Sequence, residues 1–331
     1  MTRMKPSDAD FKRLIANLDR YKPLSIVSAP TPVRRLSTLD PQRDLWLKDD
    51  SLTHSVYGGN KPRKLEYLLA EARSTSQEVI TFGFESSNHA LATAYHCSML
   101  GISCHLVLVR GPDGMSESDQ RLTKHKVEML REFATSIKFV DSFVGAAWSG
   151  FTKKAFGLGR FFIIPPGGSN ALGTLGYVRA GLELAKQIEL GELSEPESIF
   201  LPLGTGGTAT GLAIGIAAAG LSSRIRAVKV VPGPVNERAR LKRLARAVQK
   251  MLPTFDANCF QLDNLELERE ALGAGYAQPT PESIKAVETC FRLEGIKTEN
   301  TYTGKAAALV LQDTNTSSAL FWLTYSEFNS R

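Results

Sequence analysis

Short apolar runs of strand length alternate with helix-length stretches along nearly the whole chain, and this alternation most restricts the fold. Strand candidates are Leu45–Lys48, Val79–Phe82, His105–Val109, Ile137–Val140, Phe161–Ile164, Ile199–Leu203, Ala227–Val231 and Ala319–Leu323. Between them, Lys64–Arg73, His89–Leu100, Ala171–Glu189, Thr208–Ala219 and Pro281–Glu294 read as helices. Strands separated by helices predict an α/β chain built on parallel sheets with helices on their faces. In such sheets ligands bind beyond the carboxyl ends of the strands, so the loops there are where chemistry is sought. With 331 residues the chain can form two domains around one cleft without disulfides or a metal. Pro165-Pro166-Gly167-Gly168 is the candidate break between two lobes, and Pro232-Gly233-Pro234 reads as a turn.

Composition narrows the function classes. Hydrophobic residues at 43% and charged residues at 22% are ordinary for a globular protein and exclude collagen-like and disordered chains. No apolar run reaches the roughly 18 residues of a membrane span, and the N-terminus has no apolar signal core, so a cytoplasmic protein with no membrane partner is expected. The four cysteines form no CxxC pair, which suits reduced thiols and no metal site. The net charge of +6 is concentrated between Asn236 and Lys250, where six cations face one carboxylate. Leu241, Leu244, Val248 and Met251 recur there at helical spacing. No aromatics are interleaved for stacking on bases, so this reads as a solvated helix face and not as a nucleic-acid surface.

Two segments carry chemistry. Ile199–Leu203 runs into Gly204-Thr205-Gly206-Gly207-Thr208-Ala209-Thr210-Gly211 and then a small-residue helix. Glycines let the backbone turn sharply and approach a ligand, and the helix start supplies free N–H groups, a combination that suits phosphate better than a plain strand–helix turn. Neither a Walker pattern nor the GxGxxG spacing is present. The second segment, Tyr57-Gly58-Gly59-Asn60-Lys61-Pro62-Arg63-Lys64, puts Lys61 where a helix begins. A desolvated lysine at that positive end becomes a usable amine nucleophile, although taken alone it is a surface lysine. After a strand, Ser87-Asn88-His89 opens another helix, where capping is the default role of Ser87 and Asn88.

Taken in order, GGNKxRKLE, SNH, GGSxALGxLGY, GTGGT and a Tyr-Thr pair near the C-terminus resemble the D-cysteine desulfhydrase and 1-aminocyclopropane-1-carboxylate deaminase family of pyridoxal-phosphate enzymes. The matching stretches are Tyr57–Glu66, Ser87–Ala90, Gly167–Tyr177, Gly204–Gly211, Gly275–Glu282 and Val287–Lys305. The resemblance implies a tryptophan-synthase-β-like fold, with two open, twisted, mostly parallel sheets and the cofactor between two lobes. It implies a large cofactor-binding domain from residues 1–63 and 170–331, a small domain from 64–169, and a homodimer. By the same resemblance Lys61 holds pyridoxal 5'-phosphate as a Schiff base and moves the Cα proton. Gly204, Thr205, Gly206, Gly207 and Thr208 hold the phosphate, Asn88 meets the ring oxygen, and Thr303 faces the pyridine nitrogen. Ser87, Asn88 and His89 receive the carboxylate of a small amino-acid substrate, with Tyr276 and Tyr302 as active-site tyrosines.

The family's two branches differ at positions this chain shows. The deaminase has Glu at the ring-nitrogen position, Gln after the Ser-Asn pair and Leu at the end of the C-terminal strand. Here stand Thr303, His89 and Thr324, as in the desulfhydrase. A neutral group beside the ring nitrogen suffices where a good leaving group departs from Cβ, so β-elimination of D-cysteine to pyruvate, hydrogen sulfide and ammonia is expected. Deamination of the cyclopropane, or a weakly catalytic cofactor-binding homologue, is the alternative. The chain departs from the family at Ser86, usually Gln, and at Tyr325-Ser326, where a glycine pair and a further helix usually follow. The Tyr325 ring therefore either turns into the cleft or swings away with the end of the chain.

Overall fold

The computed structural model describes residues 8–110, 117–141, 161–232, 237–275 and 278–329. Helix α1 (Asp8–Asp19) precedes the short β1 (Val33–Arg35) and β2 (Asp44–Asp49). Then α2 (Asn60–Ser74), β3 (Glu78–Phe84), α3 (Asn88–Met99), β4 (Cys104–Val109), α4 (Glu117–Phe133), β5 (Ser136–Val140) and β6 (Phe161–Ile164) alternate. The chain continues through α5 (Ala171–Glu189), β7 (Ser198–Leu203), α6 (Gly207–Ala218), β8 (Arg224–Lys229), α7 (Glu237–Met251) and β9 (Leu265–Glu268). It closes with α8 (Pro281–Glu294), α9 (Thr303–Gln312) and β10 (Ser318–Leu323).

The strands form two sheets, as the alternation predicts. One has the order β5-β4-β3-β6 and is parallel throughout. The other has the order β1-β2-β10-β7-β8-β9, with β1 antiparallel to β2 and every other pair parallel. The last strand is therefore central, Leu320 standing between Trp46 and Ile199. Its period-two pattern fills both faces. Leu320 and Trp322 pack with α5 and α6 on one side, while Ala319, Phe321 and Leu323 pack with α8 and α9 on the other. A strand buried on both faces needs a continuous apolar run, which is what the sequence shows there.

One strand is shifted from the sequence reading, and the short strands β1 and β9 and the helix α4 are additional to it. β8 runs from Arg224 to Lys229 instead of Ala227 to Val231, because the polar residues of its first half pair across to β9, Arg224 with Glu266 and Arg226 with Glu268. β1 and β9 have three and four residues, too short for a periodic signal. α4 is so rich in charge that its apolar stripe is weak in sequence.

Helices α5 and α6 touch backbone to backbone, since a Cβ on Gly181 would lie 2.9 Å from the Gly215 Cα. Beside them lies a buried charge cluster. Arg63 of α2 donates to both oxygens of Asp50 (2.7 and 3.0 Å) and both of Glu183 (2.8 and 3.0 Å). Lys48 donates to Glu183 at 2.6 Å and to the Thr31 carbonyl at 2.7 Å. Tyr177 and Trp322 complete the Asp50 carboxylate at 2.6 and 2.8 Å. Burial by itself raises the Glu183 pKa, but Arg63 and Lys48 outweigh it and hold the carboxyl at about 2.

Glu183→Gln is expected to destabilise the protein by about 3–5 kcal/mol at neutral pH, because it leaves buried cations uncompensated. The native carboxyl titrates near 2 against an ordinary 4.5, so its stabilisation is complete above 4.5 and fades as pH falls towards 2. Thermal melts of both proteins should therefore converge over that window; a constant gap would contradict the assignment.

Candidate functional site

A cavity of about 320 Å³ opens beyond the carboxyl ends of strands from both sheets. β3 supplies Phe82, Gly83 and Phe84, β7 runs into Gly204, and β10 runs into Thr324, Tyr325 and Ser326. Four helices begin at this wall: α2 at Asn60, α3 at Asn88, α6 at Gly207 and α9 at Thr303. Their positive dipole ends favour anionic ligands.

The glycine loop forms one end. Gly206 precedes α6 at φ 92°, and a Cβ there would stand 2.4 Å from Leu241. Only glycine fits that position. Ser169 Oγ accepts from the Gly207 N–H at 3.2 Å and lies 2.6 Å from Thr205 Oγ1. Lys64 donates to Ser169 Oγ (3.3 Å) and to the Gly167 carbonyl (2.9 Å), and Arg240 of α7 donates to the Thr205 carbonyl. Backbone donors between two cations make an anion cradle.

Lys61 stands in the cavity wall, its Nζ 2.5 Å from Asn60 Oδ1. Burial lowers its ammonium to about 8, against the opposing charge of Glu299. Asn60 Nδ2 donates to Thr208 Oγ1 at 3.0 Å and so ties the start of α2 to the first turn of α6. Lys64 lies one helical turn on and is pushed well down by burial and by the charge of Lys61.

Ser87 caps α3 by accepting from the Ala90 N–H. The side chain of His89 is buried, with Nε2 3.0 Å from Thr81 Oγ1. Thr81 donates its proton to the Ile164 carbonyl, so His89 Nε2 is the donor to Thr81 Oγ1. Burial, and then the charges of Lys61 and Lys64, keep its pKa well below the ordinary value. The imidazole therefore brings no charge to a carboxylate; what α3 offers here is its N-terminus. Asn88 lines the cavity with its Oδ1 held by Lys126 at 2.7 Å.

Thr303 and Tyr302 also line the cavity, and the Tyr302 ring lies over Gly204. Thr303 Oγ1 donates to Glu299 Oε1 at 3.1 Å and accepts from the Glu299 N–H at 3.1 Å. A carboxylate that itself lines the cavity therefore holds the proton of a threonine that the sequence presents as neutral. Glu299 also accepts from the N–H groups of Thr301, Tyr302 and Thr303 and so caps α9. Tyr276 falls outside the described residues.

Of the two courses open to the chain end, the structure takes the inward one. Tyr325 and Ser326 line the cavity, and burial raises the Tyr325 phenol. Beyond them Phe328 packs on Tyr57, Tyr95 and Phe133, and the Asn329 N–H donates to the Val56 carbonyl at 2.9 Å. Ser169, Glu299 and Lys126 were missed in sequence, and Arg240 was read as part of a solvated face. Lys64 had a signal, its i,i+3 spacing from Lys61 on one helix face.

The sequence profile of the family described as "Pyridoxal-phosphate dependent enzyme" matches residues 24–319. Among solved structures the chain is similar to one described as an ACC deaminase homologue, at 26% identity and a TM-score of 0.79, covering 94% of each chain. It shares its fold with maize serine racemase, at 18% identity and a TM-score of 0.60, covering 97% of this chain and 95% of that one. A hydrogen sulfide-producing enzyme from Fusobacterium nucleatum matches at 14% identity and a TM-score of 0.61, over 98% and 99%.

Gly206→Ala is expected to weaken binding of pyridoxal phosphate by well over about tenfold, since both φ and the Leu241 contact oppose a side chain. Titration of the cofactor-stripped protein by fluorescence measures it. Affinity equal to the parent would remove the loop from the phosphate site.

Proposed function

The chain belongs to the pyridoxal-phosphate dependent enzyme family, and from that premise we propose that it catalyses β-elimination from a small D-amino acid, with D-cysteine giving pyruvate, hydrogen sulfide and ammonia. The observation that carries this reading is Thr303, a hydroxyl and not a carboxylate, lining the same cavity as the Lys61 amine. The residues present fit the cofactor: a glycine cradle flanked by Lys64 and Arg240 suits its phosphate, and an enclosed lysine amine suits its aldehyde. When bound, pyridoxal phosphate supplies an electron sink for the charge left on Cα as its proton departs.

The protein's own groups do the rest. Lys61, with its pKa lowered to about 8, exists partly as the free amine near neutral pH, and so can attach the cofactor and later take a proton from substrate Cα. Ser87 and the N-terminus of α3 receive the substrate carboxylate, with the neutral His89 ring packed behind. Tyr302, over Gly204, bounds the cavity on the cradle side. Tyr325 forms part of the cavity wall, and Phe328 packs on Tyr57, which also lines it. In this reading residues 1–63 and 170–331 form the cofactor-binding domain, 64–169 the small domain, and two chains a homodimer.

One observation favours a second reading. Glu299 sits one hydrogen bond from Thr303, and a carboxylate there strengthens the sink in the way cyclopropane opening requires. The similarity to an ACC deaminase homologue points the same way. Product analysis separates the two. The first reading expects sulfide and pyruvate from D-cysteine at a higher kcat/KM than 2-oxobutanoate from 1-aminocyclopropane-1-carboxylate. The reverse order would establish the deaminase. Lys61→Ala should lower kcat by about 10²–10⁴-fold or more in either case.

Tyr325 and Ser326 occupy a stretch where glycines would leave more room, and misplacement of a substrate by about 1 Å costs on the order of a hundredfold in rate. Tyr325→Gly with Ser326→Gly is therefore expected to raise kcat/KM for D-cysteine. A slower double variant would show that the tyrosine is part of the working site.

A further inference from the structure

Lys126 belongs to none of the motifs that mark this site in sequence. It lies within α4, next to the exposed Lys124 and His125. Its ammonium nevertheless reaches across to the turn between β3 and α3. There it donates to the Ser86 carbonyl at 2.9 Å and to Asn88 Oδ1 at 2.7 Å, and the Tyr57 hydroxyl approaches the same Oδ1 at 3.5 Å. Burial lowers the Lys126 pKa to about 8, with the charge of Glu299 opposing, so the group remains largely protonated at neutral pH. An ammonium has three donors and no acceptor, so the half of an amide that faces it is the oxygen. The Nδ2 half of Asn88 is then what the residue offers to the cavity it lines.

We infer that Lys126 is a positioning residue, which locks the Asn88 amide so that the cavity receives a hydrogen-bond donor matched to an oxygen acceptor on bound pyridoxal phosphate. This rests on the reading that Asn88 meets the ring oxygen of the cofactor, and it assigns the cause of that donor's orientation. By holding the Ser86 carbonyl as well, Lys126 fixes the turn that starts α3 against α4. Without the ammonium, the amide is free to turn over and present oxygen to oxygen, which removes one hydrogen bond and adds a repulsion.

The test is a double-mutant cycle read by cofactor affinity. Cofactor-stripped protein, Lys126→Met, Lys126→Arg, Asn88→Ala and the Lys126→Met/Asn88→Ala pair are titrated with pyridoxal phosphate, and thermal melts confirm that each folds. Lys126→Met should weaken affinity about tenfold, Lys126→Arg should stay within about threefold of the parent, and Lys126→Met should add less than about twofold once Asn88 is Ala. If Lys126→Met does not fold, Lys126→Gln takes its place in the same cycle. Unchanged affinity in Lys126→Met, or losses that add in full, would overturn the inference. Because the readout is affinity without substrate, it stands or falls separately from turnover of D-cysteine.

Discussion

The bidentate contacts of Arg63 with Asp50 and Glu183 anchor everything that follows. Arg63 is the third residue after Asn60 at the start of α2, so fixing its guanidinium fixes where Lys61 emerges. The carboxylates come from different layers, Asp50 just beyond β2 and Glu183 from α5, and Trp322 of the central strand β10 joins them through Asp50. Two cations and two carboxylates, each with further hydrogen-bond partners, meet the condition under which buried charge is tolerated. The result is a rigid joint between sheet, helix and the cavity wall that carries Lys61. Its cost is that removing any single partner strands a charge in the interior.

On that joint the fold builds an electrostatic site from ordinary parts. Four helix starts converge on one cavity, and three lysines (Lys61, Lys64 and Lys126) lie close to it. Helix termini attract anions, but the same positive environment and the loss of water work against ammonium groups. Burial alone brings Lys61 and Lys126 both down to about 8, so a neutral amine becomes available without a dedicated base. Glu299 is the counterweight. It caps α9, holds the Thr303 hydroxyl proton and raises the pKa of both lysines, so one carboxylate influences groups on α2, α4 and α9.

The end of the chain closes the site in its own way. The Thr324 carbonyl accepts from the Asn60 N–H at 3.0 Å, so the residues after β10 are held at the base of α2. Tyr325 then enters the cavity wall, and Phe328 joins an aromatic cluster with Tyr57, Tyr95 and Phe133. Tyr325 thus takes up part of the cavity wall, and the aromatic packing that follows holds this stretch in place.

Local pattern determined much of this. Apolar runs of strand length and helical apolar spacing marked eight of the strands and the main helices, because burial of an element shows in the residues that compose it. The glycine loop was legible because a tight turn before a helix demands glycine, whereas Lys61 taken alone reads as a surface lysine and stands out only through the family motif around it. Only tertiary structure decided which distant groups attend them. Lys126 is 38 residues from Asn88, and Arg240 is 35 residues from Thr205, inside a helix whose composition matches any solvated face. Glu299 is four residues from Thr303, yet nothing in that spacing says its carboxylate takes the hydroxyl proton. Periodicity records which face of an element is buried; it carries no record of which charged side chain, brought from another element by the strand order, ends within hydrogen-bond reach.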